Sequence, residues 1–228
     1  MKFLKALLAC LLLPCFHALF SFAREIALAV DVSRVPWIPL AVFFLGMSAW
    51  CLVFFLFPRP TWFYVLGHEI THAVAVVASG GRVSGFKVRS DGGHVVADRT
   101  SCFIALSPYL IPFYPIVLGV IWALVVHFLP DWQRYTILFL PFWGASWGFH
   151  FTFTGSLLKS GQSDFESQGY FFSWVIILLG NLGFLVCMAY FWTQPFPLPE
   201  ALALLARSLL NSYELCGQVL QDWKDMIN

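Results

Sequence analysis

The sequence predicts an all-α polytopic membrane protein. It reads as about five to six transmembrane helices, a short β-hairpin after a helix carrying His-Glu-x-x-His, and a C-terminal amphipathic helix. Three observations predict this. Of 228 residues, 60% are apolar and only 11% are charged, against about 25% charged in a soluble domain. The mean hydropathy is +0.78. The apolar residues form continuous runs rather than alternating, which disfavours a barrel. A spanning helix takes about 20 apolar residues, so this length accommodates roughly five to seven spans. The 13 basic and 12 acidic residues are too few to cover a soluble globule, so lipid must replace water around the fold. This excludes a disordered chain and an ordinary soluble enzyme. A net charge of +1 gives no reason to expect a nucleic-acid partner. The expected setting is a lipid bilayer, the cell (inner) membrane if the source is bacterial.

Residues 3–22 are apolar after Lys2 and Lys5 and read as a retained helix or a signal-like segment. Residues 36–57 form an uncharged span closed by Pro58-Arg59-Pro60. The run from Trp62 to Ser79 carries His68, Glu69 and His72, and Gly80-Gly81 stops it. In 82–99, Val83, Phe86, Val88, Val95 and Val96 interleave with polar residues around Asp91-Gly92-Gly93. That pattern reads as a β-hairpin. Residues 103–129 are apolar, with Pro108, Pro112 and Pro115 placing the start of the regular helix near Pro112 or Pro115. The next span is 135–158, where Gly144 and Gly148 form a G-x-x-x-G suited to close helix contact. Tyr170 to Trp192 is the last span, ended by Pro195, Pro197 and Pro199. In 200–228, Leu202, Leu205, Leu209, Tyr213, Cys216, Leu220 and Trp223 recur at helical spacing. That stripe predicts an amphipathic helix on the membrane surface or packed on the bundle. The expected organisation is therefore an N-terminal segment 1–34, a transmembrane core 35–194 and a C-terminal helix 195–228. The basic residues Arg82, Lys87, Arg89 and Arg99 put the hairpin in the cytoplasm, together with Arg24, Arg34 and Lys159. The cysteines form no C-x-x-C pair and imply neither a disulfide framework nor a cysteine metal site.

Ionisable residues inside an apolar run are costly and point to function. His68-Glu69-Ile70-Thr71-His72 is an H-E-x-x-H. Residues i and i+4 share a helix face, about 5–6 Å apart at Cβ, so two imidazoles there can bind one Zn²⁺. Glu69 is offset by one residue and can take a proton from a water on the metal. A catalytic zinc also needs a third protein ligand and an open position. The metzincin spacing fails, because Ala78 stands where its third histidine would be. The remaining candidates are His94, Asp98, His127, His150, Asp164 and Glu166.

An H-E-x-x-H within a span, a Gly-terminated helix, a basic hairpin with Gly-Gly and a distant Asp together resemble the site-2 proteases. That family consists of intramembrane zinc metalloproteases, and the resemblance covers roughly 36–168. It implies His68, His72 and Asp164 as zinc ligands and Glu69 as the general base. It also implies a transmembrane protein or peptide as substrate, held unwound against the hairpin Arg82 to Arg99 as an added strand. Ser163-Asp164-Phe165 departs from the family's N-P-D-G or L-D-G motif, with Gln162 as a substitute polar partner. Two other readings stand beside this one. The first is another membrane metallohydrolase. The second is a non-catalytic scaffold or transporter with a relict motif, against which the intact Glu69 argues.

Overall fold

A computed structural model describes residues 2–158 and 162–227. Lys159, counted above with the hairpin's basic residues, lies outside the described residues. The chain is mostly helical and divides into two compact units, residues 37–168 and residues 1–36 with 169–228.

One unit runs from Trp37 to Gln168. Helix α2 (Trp37–Leu56) is followed by α3 (Thr61–Ala78), which carries the H-E-x-x-H. The end of α3 is set by its glycines. Gly80 takes φ +72°, a conformation that costs glycine little. The Gly81 N–H then bonds the Val76 carbonyl and the Gly80 N–H bonds the Val77 carbonyl, both at 2.9 Å. This 6→1 and 5→2 pairing satisfies carbonyls that the helix end would otherwise leave unpaired.

The chain turns directly into the expected hairpin. Strand β1 (Val83–Arg89) pairs antiparallel with β2 (Gly92–Ala97), with Arg89 opposite Gly92 and Phe86 opposite Val95. The turn itself is Ser90-Asp91, with Gly92 already in the strand. Alternation sends Val95 and Ala97 inward, and Val83 and Ala97 pack on buried Ala75, Val76 and Ile104. The Arg82 N–H donates to Asp98 Oδ1 at 2.7 Å, closing the hairpin's base.

The proline-rich segment that follows is more regular than the sequence predicts. Residues Cys102–Leu110 form helix α4, capped by the Ser101 side chain, which accepts from the Ile104 N–H. Helix α5 (Phe113–Phe128) begins after Pro112, and the two axes differ by 67°. A 3₁₀ turn at Pro130–Tyr135 leads into α6 (Thr136–Leu157). The short α7 (Ser163–Gln168) completes the unit.

Helices α2 and α6 pack side by side through glycine. A β-carbon on Gly144 would fall inside contact distance of the Phe43 carbonyl oxygen, and one on Gly46 would meet the Pro141 carbonyl oxygen. The Gly144/Gly148 motif thus makes the expected close approach, with Gly46 as its counterpart on α2. Buried Phe43, Phe54 and Phe153 fill the same seam.

The other unit holds α1 (Lys2–Ala29), α8 (Tyr170–Thr193) and α9 (Leu198–Ile227). Phe22 and Ile26 of α1 pack with Val186 and Tyr190 of α8 and with Ala201 of α9. His17 Nδ1 lies 2.8 Å from Ser212 Oγ, which joins α1 to the amphipathic α9.

Among the described residues, three helices are long and apolar enough to cross a membrane: Lys2–Ala29, Trp37–Leu56 and Tyr170–Thr193. The bent pair α4–α5 makes a fourth if it is one span. Helices α3 and α6 are not in this set. Helix α3 carries His68, Glu69 and His72, and α6 carries His150 among Gly, Ser and Thr residues. Their polar groups lower the very quantity that marks a span.

Candidate metal centre

Helix geometry brings the first two candidate ligands together. His68 and His72 are one turn apart on α3, and their Nε2 atoms stand 3.1 Å apart. Asp164, on α7, completes a triangle, with its Oδ2 at 3.6 Å from each Nε2. Among the described residues, His68, His72 and Asp164 are the group of ligand atoms close enough to hold a metal ion. A tetrahedral ion with bonds of about 2.0–2.1 Å has ligand–ligand edges of about 3.3 Å. The triangle's edges bracket that value, so the donor set fits a tetrahedral ion with one position left open.

The outward nitrogen of each imidazole is also held. The His72 Nδ1–H donates to the Ile104 carbonyl at 2.8 Å, which leaves the Nε2 lone pair facing the triangle. His68 Nδ1 lies 2.7 Å from the Tyr64 hydroxyl. Partners of this kind orient ligating histidines.

The Ile104 carbonyl is available because of a proline. In α4 that oxygen would normally accept from the N–H four residues on, which is Pro108 and has none. His72 and the Ser107 hydroxyl, at 3.0 Å, take its place.

Asp164 is held from the other side. The Tyr109 hydroxyl of α4 donates to Oδ2 at 2.9 Å.

Glu69 is 6% exposed and opens on the same cleft as His68, His72 and Asp164. The cleft measures about 460 Å³ and is walled by α3, the hairpin, the start of α4 and α7. Gln162 and Ser163 line it beside Asp164, and Arg99 borders it while donating to the Ser79 carbonyl at 3.1 Å. Hairpin residues therefore line the same cleft as the candidate metal ligands.

The other sequence candidates are placed apart from the triangle. His94 borders the cleft but takes the exposed face of β2. Asp98 is engaged by the Arg82 N–H. His127 sits in the last turn of α5, with its ring against Phe128. Glu166 is exposed on α7. His150 is 8% exposed on α6, with its ring near Trp147, and is not among the clustered ligand atoms.

Sequence reasoning missed Tyr64, Pro108 and Tyr109. Tyr64 carried a usable signal, because it lies one turn before His68 on the stripe shared with His72. Tyr109 carried none, since its contact to Asp164 spans 55 positions.

No protein-family model, curated protein or solved structure matches the chain.

Proposed function

We propose that the protein is an intramembrane zinc metalloprotease that hydrolyses peptide bonds in or near transmembrane segments of other membrane proteins. One observation carries the reading: a His-His-Asp triangle with one open position shares a cleft with a buried glutamate one residue from the first ligand. Two imidazoles and a carboxylate suit zinc. Metal holding alone would not call for Glu69, whereas peptide hydrolysis does.

Zinc, when bound at these ligands, would supply Lewis acidity that polarises a carbonyl and lowers the pKa of a water towards about 7. Glu69 accepts the proton from the attacking water and passes it to the leaving amine. Its burial in the cleft keeps the carboxylate beside the reacting atoms and away from bulk solvent. The hairpin supplies the remaining need. A helical substrate hides its carbonyls in hydrogen bonds and must be unwound before attack. A two-stranded sheet has an unpaired edge on each strand, which can take an extended peptide beside the cleft.

In this reading α3 and α6 cross the bilayer with the other apolar helices, bringing the spans to five or six. The polar groups of α3 face the cleft rather than lipid. The hairpin side is cytoplasmic by its basic residues.

The test uses the full chain purified in detergent. Zinc is measured, and wild type is compared with Glu69→Gln on a panel of single-span substrates. The expected result is about one equivalent of zinc in both forms, with cleavage by wild type alone. Zinc in both forms with cleavage by neither would overturn the protease reading.

A further inference from the structure

We propose that Tyr109 is a positioning residue of the metal centre, whose hydroxyl fixes Asp164 Oδ2 as the third ligand. The inference rests on the reading of His68, His72 and Asp164 as zinc ligands.

Asp164 has little of its own to hold it. It sits on a six-residue helix, and its side chain is 24% exposed. A carboxylate there can rotate among several positions, each of which costs ordering when a metal binds. The two imidazoles differ, because each is locked on α3 with its outward nitrogen already engaged.

Tyr109 supplies the missing constraint. It is fully buried in α4, with its ring edge on His68 at 5.1 Å between centroids. Phe165, next to Asp164 and also fully buried, packs on the same ring at 4.6 Å. One aromatic ring therefore touches the first ligand and the residue beside the third. Its hydroxyl donates to Oδ2, the oxygen that faces both imidazoles. A carboxylate oxygen has two lone pairs. With one taken by Tyr109, the other is left directed at the metal position, so Asp164 is set to bind through a single oxygen. Tyr109 does not line the cleft. Its hydroxyl reaches the metal position through Asp164.

The experiment uses the full chain in detergent and Tyr109→Phe, which keeps the ring and removes the O–H. Zinc affinity is read by competition with a chelating dye, and the site is loaded separately with Co²⁺ for its visible absorption bands. Loss of an outer partner of a metal ligand costs about 10–100-fold in affinity. That loss is expected here, with altered cobalt bands and unchanged thermal unfolding of the metal-free protein. The decisive comparison is Tyr109→Phe in an Asp164→Ala background. If Tyr109 works through Asp164, the second change adds nothing to the first. Wild-type zinc affinity in Tyr109→Phe, or full additivity with Asp164→Ala, would overturn the inference while the metal reading stands. A wild-type protein that binds neither zinc nor cobalt would overturn both.

Discussion

The backbone of Gly93 lies directly on the side chain of Glu69. A β-carbon at Gly93 would stand 2.6 Å from Glu69 Cγ, with the Lys87 carbonyl oxygen and Val65 Cγ1 each at 2.8 Å. Glycine at this point of β2 is what lets the hairpin close over α3 and bury the carboxylate. Gly93→Ala should push the hairpin off Glu69 or turn the carboxylate aside, without touching His68, His72 or Asp164. On the protease reading proposed above, the expected outcome is a cleavage rate lower by about 10²-fold, a loss that a 1 Å misplacement can cause. Zinc content should be unchanged. Measuring zinc and cleavage on the same preparation checks this, and a loss of zinc in Gly93→Ala would show that the hairpin supports the ligands instead.

The ligand assignment makes a prediction that separates two buried histidines. His72→Ala and Asp164→Ala each remove one corner of the triangle. Zinc affinity should fall by at least the 10–100-fold that loss of an outer partner costs. His150→Ala removes a histidine that is just as buried but lies outside the cluster, so zinc should stay at the wild-type level. Zinc titration of the three purified variants decides it. Retention in Asp164→Ala together with loss in His150→Ala would reassign the third ligand.

Pro108 offers a test of how His72 is oriented. Pro108→Ala gives α4 an N–H in register with the Ile104 carbonyl, and this new donor competes with the His72 Nδ1–H. The helix itself should gain, since proline is about 3 kcal/mol less favourable than alanine in a helix interior. The metal site should lose, with zinc bound up to about 10-fold more weakly. A more stable protein with weaker zinc binding is the expected pair of results, read by thermal unfolding of the metal-free form and by dye competition. Zinc binding as tight as wild type would mean that the Ile104 carbonyl is not what orients His72.

Local features were legible in the sequence, and tertiary ones were not. The His68/His72 pairing follows from helical periodicity alone. The stop at Gly80-Gly81 and the hairpin follow from turn chemistry and alternation. Asp164 is one of six third-ligand candidates in the sequence, and only the resemblance singles it out, because nothing within its own segment distinguishes it from Glu166 two residues on. What separates them is Tyr109, brought in from α4. Pro108, Pro112 and Pro115 predict a regular helix only from near Pro112 or Pro115, yet Cys102–Leu110 is helical. The missing N–H does not break the helix there, since His72 and Ser107 satisfy the carbonyl it would have served.

The contact of α2 with α6 predicts opposite signs for the same substitution at two positions of one helix. Glycine in a helix interior costs roughly 0.5–1 kcal/mol relative to alanine. Gly155→Ala, in the last turn of α6, should recover part of that amount, because a β-carbon there meets nothing within 4 Å. At Gly144 the same β-carbon runs into the Phe43 carbonyl oxygen and crowds Phe43 C at 2.9 Å and Met47 N at 3.2 Å. These are backbone atoms of a neighbouring helix and cannot rotate away. The helices must separate, which opens the seam around Phe43 and Phe54. Overpacking of this kind costs about 1–3 kcal/mol or more, enough to outweigh the gain in propensity. Gly144→Ala should therefore lower the midpoint of thermal unfolding in detergent while Gly155→Ala raises it. Equal shifts in the two variants would mean that the helices do not meet at Gly144.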